Sequence, residues 1–379
     1  MKRDEINRMA LTEIDRVKYL ILELITGYGK TKVAIDLINH ICDRVFRNDE
    51  CPTTVLILVA KTVHKQTWKD EIEKWGGVKT DYVTIECYES LKKYEGAYFD
   101  VVVADEMQHL SEARLEVLDT LHINEAFIGL SATIKRDMRD MFIRFHDACV
   151  IKCGLREAVD DEVLPEPTVY LMPLNLDEKN YTYKTKRFGK NVITTQKGYY
   201  DSISSLIEWY KNKYFNSRNE RMKNLWLSTA GKRLKWLAEQ KEALVLSLLD
   251  KFRNYKTLTF CSSIEQSERL GKYNITSKNK ASVKNLEMFN SNKIKHITAC
   301  NILNEGVNLT NCRIGIFCNL NSSEIVVKQR VGRILRHKSP VIIIPYFKDT
   351  REEELVQKMI EEYSEDSIIS VDSINDIKL

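Results

Sequence analysis

No apolar run in this chain of 379 residues reaches the length of a membrane span, which takes about 20 predominantly apolar residues. The amino-terminal Met1-Lys2-Arg3-Asp4-Glu5 has no apolar core of the kind a signal peptide carries, so a cytoplasmic protein with no membrane partner is expected. Cys-x-x-Cys pairs are absent, and nine scattered cysteines, an odd number, fit a reducing compartment better than a disulfide framework. His146, Cys149 and Cys153 come nearest to a metal cluster. They fall short of four ligands and lie in an apolar stretch, so buried thiols are expected there. No nuclease, zinc-module or methyl-transfer motif is recognisable. Charge of one sign is lacking as well, since a net +4 is too small to argue by itself for a polyanionic partner.

A hydrophobic content of 43% with 30% charged residues describes a globular chain, and its length favours two domains over one growing core. The charge is unevenly placed. Residues 175–256 carry about 18 Lys and Arg against about 8 Asp and Glu, with aromatic residues interleaved from Tyr181 to Trp236. Cations and rings mixed in this way can follow a phosphate backbone and stack on bases. A helical subdomain with core aromatics and a solvated lysine face has the same composition.

The first half alternates short apolar runs with helical patterns, which predicts a parallel sheet covered on both faces. Strands are expected at residues 19–25, 54–60, 99–104 and 126–130. Val33, Ala34, Leu37, Ile38, Ile41 and Val45 recur at helical spacing after the first of these. A second alternating set has strands at 257–261, 295–299, 313–317 and 341–345. Val163-Leu164-Pro165-Glu166-Pro167 between the sets predicts the interdomain connection, because prolines hold themselves and their predecessors extended. The acidic residues after about Glu361 are weakly patterned and are expected to be partly mobile.

Thr26-Gly27-Tyr28-Gly29-Lys30-Thr31 lies between the first strand and the first long helix. Its glycines let the backbone turn so that N–H groups face a phosphate at a helix amino terminus. Lys30 would reach the β- and γ-phosphates of a nucleotide, and the Thr31 hydroxyl would ligate magnesium. The full phosphate-loop pattern has one departure here, Leu24 at its first glycine position. Asp105-Glu106 ends the apolar run Val101-Val102-Val103-Ala104, at the carboxyl end of a strand, where open α/β sheets bind ligands. Asp105 would hold the magnesium, and Glu106 would deprotonate an attacking water. Some three hundred residues after the loop comes Gln329-Arg330-Val331-Gly332-Arg333-Ile334-Leu335-Arg336. Arginines three apart on a helix share a face, and guanidinium groups suit the charge of a transferring phosphoryl group.

The loop, Asp105-Glu106-Met107-Gln108, Ser131-Ala132-Thr133, Asn304-Glu305-Gly306-Val307-Asn308 and Gln329-x-x-Gly332-Arg333-x-x-Arg336, in that order, resemble the superfamily 2 helicases and translocases. Their closest flavour is the type III restriction-subunit and excision-repair branch, phage-borne forms included. The resemblance implies two tandem RecA-like domains, residues 1–160 and 161–379, with a basic helical extension at about 177–252. It implies an ATP-dependent DNA motor, stimulated by single-stranded, forked or branched DNA, in a bacterial or phage-infected cytoplasm. ATP and Mg2+ would be held by residues 26–31, Asp105 and Gly306. Lys30, Asp105 and Glu106 would run hydrolysis, with Gln329, Arg333 and Arg336 completing the site from the second domain. Ser131 and Thr133 would couple ATP state to domain movement, while Lys61, Thr62, Tyr88 and Ser90 would touch nucleic acid. Asn308 stands where the family often has an acid. No glutamine-containing adenine motif precedes the loop, so strong preference for ATP is not assured. An RNA helicase, or a nucleotide-gated clamp that does not translocate, is the alternative.

Overall fold

The computed structural model describes residues 3–49, 53–77, 82–187, 190–300, 309–320 and 323–379. Two parallel sheets, each flanked by helices, form the α/β framework of tandem RecA-like domains. Compactness divides the chain near Pro165 and Glu166, but not strictly by sequence. Glu324–Arg336 clusters with the first unit, although the residues on both sides of it cluster with the second.

The first sheet contains β1 (Tyr19–Leu24), β2 (Val55–Val59), β3 (Val83–Cys87), β4 (Tyr98–Asp105), β5 (His122–Ser131) and β6 (Cys149–Cys153). Their order is β3-β2-β4-β5-β1-β6, and every pairing is parallel. The central strands are apolar throughout because helices cover both faces: β2 and the run from Val101 to Ala104 are buried. The helix Lys30–Asp49 buries the apolar stripe expected from its spacing, with Val33, Ala34, Leu37, Ile38 and Ile41 all under 7% exposed. Register places Leu22, Leu130 and Asp105 side by side, so β1, β4 and β5 end together.

The second sheet runs β11-β12-β10-β13-β14-β7-β15 and is again parallel. Its strands are β7 (Thr168–Leu174), β10 (Thr257–Phe260), β11 (Asn274–Ile275), β12 (His296–Ala299), β13 (Ile314–Phe317), β14 (Val341–Phe347) and β15 (Ile368–Ser370). An antiparallel hairpin, β8 (Tyr183–Arg187) with β9 (Lys190–Thr194), precedes the helices Gln196–Ser217, Glu220–Gln240 and Glu242–Lys251. The chain's last residues are not the mobile tail expected from their acidity. β15 pairs with β7, Tyr363, Val371 and Ile377 are buried, and the Tyr170 hydroxyl donates to the Lys378 carbonyl at 2.7 Å. Three apolar side chains and a strand partner outweigh the solvation of the carboxylates between them. Among the described residues no helix is long and apolar enough to cross a membrane.

One buried ion pair ties the helical region to the second sheet. Lys241, wholly buried, donates to Glu352 at 2.6 Å and to the Pro345 carbonyl at 3.1 Å, while Glu352 also accepts from the Phe347 N–H at 3.1 Å. Burial raises the Glu352 carboxyl pKa despite the ammonium beside it. Removing one partner of such a pair leaves a buried charge uncompensated. Lys241→Met is therefore expected to lower stability in urea unfolding by roughly 3–5 kcal/mol. Adding Glu352→Gln should recover much of that loss, and a strictly additive double variant would contradict the coupling.

Candidate functional site

The first unit builds its site from loops leaving the carboxyl ends of β1, β4 and β5. After β1 the chain reverses at once. The Tyr28 N–H donates to the Ile25 carbonyl at 3.2 Å, and Gly27 and Gly29 have φ of 95° and 104°. Both angles lie in the region that side-chain-bearing residues avoid, so glycine is required at these two turns. Open space adjoins Gly29: no atom lies within 4 Å of where a Cβ would sit. Lys30 opens the helix and folds back over the loop, its Nζ donating to the Leu24 carbonyl at 3.1 Å. Tyr28 is buried, while Thr26 and Thr31 are half-buried.

At the end of β4, Asp105 accepts a hydrogen bond from the Trp68 indole at 2.9 Å, and the Tyr88 hydroxyl donates to the Asp105 carbonyl at 2.9 Å. Burial pushes the Asp105 carboxyl up to about 6, with the neighbouring Glu106 charge adding to the rise and the Trp68 N–H and Lys30 opposing it. Glu106 sits at φ 53°, ψ 55°, a left-handed conformation that costs a glutamate roughly 1 kcal/mol. Nearby bonds hold the turn. The His109 N–H donates to the Glu106 carbonyl at 3.0 Å, and Arg114 donates to the His109 carbonyl at 2.8 Å.

A polar chain then runs from β4 to the end of β5. Gln108 Nε2 donates to Glu106 at 2.8 Å, and the Ser131 hydroxyl donates to Gln108 Oε1 at 2.5 Å. The same hydroxyl accepts from the Thr133 N–H at 3.2 Å. Beneath it Glu23, buried in β1, accepts from the Ile134 N–H at 3.4 Å and faces Arg139 at 3.7 Å.

The distant arginine segment comes to this same unit. It forms the helix Glu324–Ile334. Gly332 lies so near the phosphate loop that a Cβ on it would sit 2.4 Å from Thr26 Cβ and 3.0 Å from the Thr26 carbonyl oxygen. Gln329, Arg330 and Arg333 are buried. Arg336 differs from the expectation of a shared helical face: the helix ends at Ile334, and Arg336 lies exposed in the turn beyond it.

Thr26 Oγ1, Thr133 Oγ1 and Gln329 Nε2 are buried with no hydrogen-bond partner among the described residues. Leaving such groups unpaired costs about 1–3 kcal/mol each, so the segments suit a ligand rich in polar atoms. The open space at Gly29 and a lysine on the loop favour a phosphate. Two adjacent carboxyls, one with its pKa raised partly by the other's charge, suit a divalent cation.

The other expected residues are spread more widely. Lys61 and Thr62 are exposed at the start of the helix Thr62–Trp75, and Ser90 is half-buried. Tyr88 is not placed to touch a nucleic-acid backbone. Its ring is 1% exposed in the core, and its hydroxyl braces the acid-bearing turn. Gly306, with the rest of 304–308, lies outside the described residues. The sequence reading missed Trp68, the bracing role of Tyr88, and Gly129, where a Cβ would meet Met107 Sδ at 2.6 Å and displace the residue after Glu106. The apolar neighbours of Gly129 on β5 give no signal of that contact.

Residues 240–338 match the family model described as Helicase conserved C-terminal domain. A DNA 3'-5' translocase, XPB2, from Sulfurisphaera tokodaii is 22% identical over 364 residues, covering 84% of this chain and 75% of that protein. A fragment structure described as an HsdR subunit of a type I restriction enzyme from Vibrio vulnificus superposes with a TM-score of 0.61. It is 21% identical and covers 97% of this chain and 67% of its own. Dbp5 from S. cerevisiae, bound to RNA and ADP BeF3, gives a TM-score of 0.59 at 12% identity, over 97% of this chain and 89% of its own. The chain therefore shares the tandem RecA-like fold of these proteins.

The contact at Gly332 has a direct test. Gly332→Ala is expected to cost about 1–3 kcal/mol in chemical unfolding, as overpacking does. Thr26→Gly in the same chain should recover part of it. Equal stability of Gly332→Ala and the unsubstituted protein would contradict the approach.

Proposed function

We propose that the protein is an ATP-driven motor that hydrolyses ATP under stimulation by nucleic acid and moves along or remodels it, with DNA as the track. The close approach of Gly332 to Thr26 carries this reading. A phosphate-loop enzyme working from one unit alone has no use for an arginine-bearing helix supplied from three hundred residues away. The translocase named above and the type III restriction and repair flavour of Gln329-x-x-Gly332-Arg333 support DNA over RNA.

In this reading the backbone from Thr26 to Gly29 and the Lys30 ammonium bind the triphosphate, and Thr31 and Asp105 hold Mg2+. The metal supplies neutralisation of charge on the phosphate oxygens. Glu106 takes the proton of the attacking water. Gln108 fixes the direction of its carboxylate and links it through Ser131 to the Thr133 turn, so a shift at either end is felt at the other. Arg333 and Arg336 stabilise the phosphoryl group in transfer, and Gln329 orients beside them. Because both flanks of Glu324–Arg336 belong to the second unit, any pull on this helix as phosphate is gained or lost is transmitted along the chain. Lys61, Thr62 and Ser90 contact the nucleic-acid backbone, and the work is done in the cytoplasm of a bacterial or phage-infected cell.

ATPase assays with single-stranded, duplex and forked DNA and with RNA test the reading. Strong stimulation by DNA is expected. Stimulation by RNA alone would make the track RNA, and indifference to every nucleic acid would overturn the motor. Glu106→Gln is expected to bind nucleotide normally while its turnover falls by about 10²-fold or more. Arg333→Ala should lose on the order of 10³-fold. Full turnover in Glu106→Gln would contradict the role given to that carboxylate.

A further inference from the structure

The helices Gln196–Ser217 and Glu220–Gln240 are joined through Arg218, in a left-handed conformation at φ 51°, and Asn219. Between Ile207 and Leu237 this helical hairpin buries no side chain. Its end is nevertheless rich in rings. Trp209 is 51% exposed and Phe215 48%, and Trp226 packs 6.0 Å from Phe215 across the hairpin. Cations stand over these rings: Lys213 lies 5.9 Å from the Trp209 centroid and Arg218 lies 5.8 Å from that of Phe215. The local carboxylates are already engaged, Glu208 by Lys211 at 3.5 Å and Glu220 by Lys223 at 3.3 Å. Lys213, Arg218 and Arg221 have no carboxylate partner among the described residues.

A docking helix from another protein would be met best by a continuous aliphatic stripe. Here the exposed apolar residues are two separate leucines, Leu206 and Leu227, and two rings, Trp209 and Phe215, and the rings are edged by cations with no carboxylate partner among the described residues. Flat rings beside uncompensated cations match a ligand that alternates flat bases with phosphates. We propose that the end of this hairpin binds an unpaired nucleic-acid strand. Bases stack on Trp209 and Phe215, and Lys213, Arg218 and Arg221 meet the phosphates. This rests on the motor reading, since the strand is the motor's track, and it takes the nucleic-acid reading of the basic aromatic region for this end. The core side of the region follows the other: Tyr200 and Leu237 are buried, and Tyr183, Tyr199 and Trp236 pack on one another.

The test uses the full chain, a labelled oligothymidylate, the matching duplex and an oligouridylate. Trp209→Ala and Phe215→Ala should each weaken binding to the single strands by about 5-fold or more, the loss expected for one base stack. Trp209→Phe, which keeps a ring, should retain most of the affinity, and unstimulated ATPase and the melting temperature should not change. Replacing Lys213, Arg218 and Arg221 together with glutamine should flatten the slope of log affinity against log salt by about 2. Unchanged single-strand affinity and salt slope in these variants, with stimulation of the wild type intact, would overturn the hairpin assignment alone. A wild type that binds neither oligonucleotide and is not stimulated would overturn the motor reading and the hairpin with it.

Discussion

The arrangement depends on a missing side chain. Gly332 brings a helix against the phosphate loop at a distance that no Cβ could tolerate, and the loop there is already committed to a tight turn by Gly27 and Gly29. Gly332 and the two loop glycines, about three hundred residues apart in sequence, thus set how near an arginine-bearing helix comes to the loop. The same helix is held in the chain by flanks that belong to the other compact unit.

The acids beside the loop are kept in a costly state. Asp105 is half-buried beside another carboxylate, and Glu106 occupies a backbone conformation that glutamate avoids. Both costs are offset locally: the Trp68 indole bonds the first carboxylate, Tyr88 holds its carbonyl, and Gln108 fixes the second. Strain and desolvation concentrated at one turn, with neighbours arranged to sustain them, is the pattern of a preorganised site. The Gln108–Ser131–Thr133 connection extends that preorganisation to the next strand, so the acid pair is not an isolated feature of β4.

Much of this was legible in the sequence, for reasons that differ by residue. The strands that end in Leu24, Asp105 and Ser131 carry buried runs, residues 20–24, 101–104 and 126–130, that read as apolar stretches, and the helix after the loop shows its period because only one face is covered. β3 was missed because it lies at the edge of its sheet with half-buried residues, and β7 because it follows a proline break and contains Pro173. Trp68 and Tyr88 were beyond local pattern: their bonds to Asp105 span 37 and 17 positions. Arg336 was misread as sharing a helical face because spacing alone does not show where a helix stops. The acidic terminus was misjudged because charge dominated its composition while three apolar residues decided its place.

The central claim is that the Glu324–Ile334 helix engages the phosphate loop in a way that depends on nucleotide. Amide hydrogen exchange of that helix in the intact protein tests it most directly, comparing nucleotide-free, ADP-bound and non-hydrolysable ATP analogue states with Mg2+. The account expects protection to rise with the analogue and to fall back with ADP. Identical protection in all three states, with nucleotide bound in the last two, would contradict it.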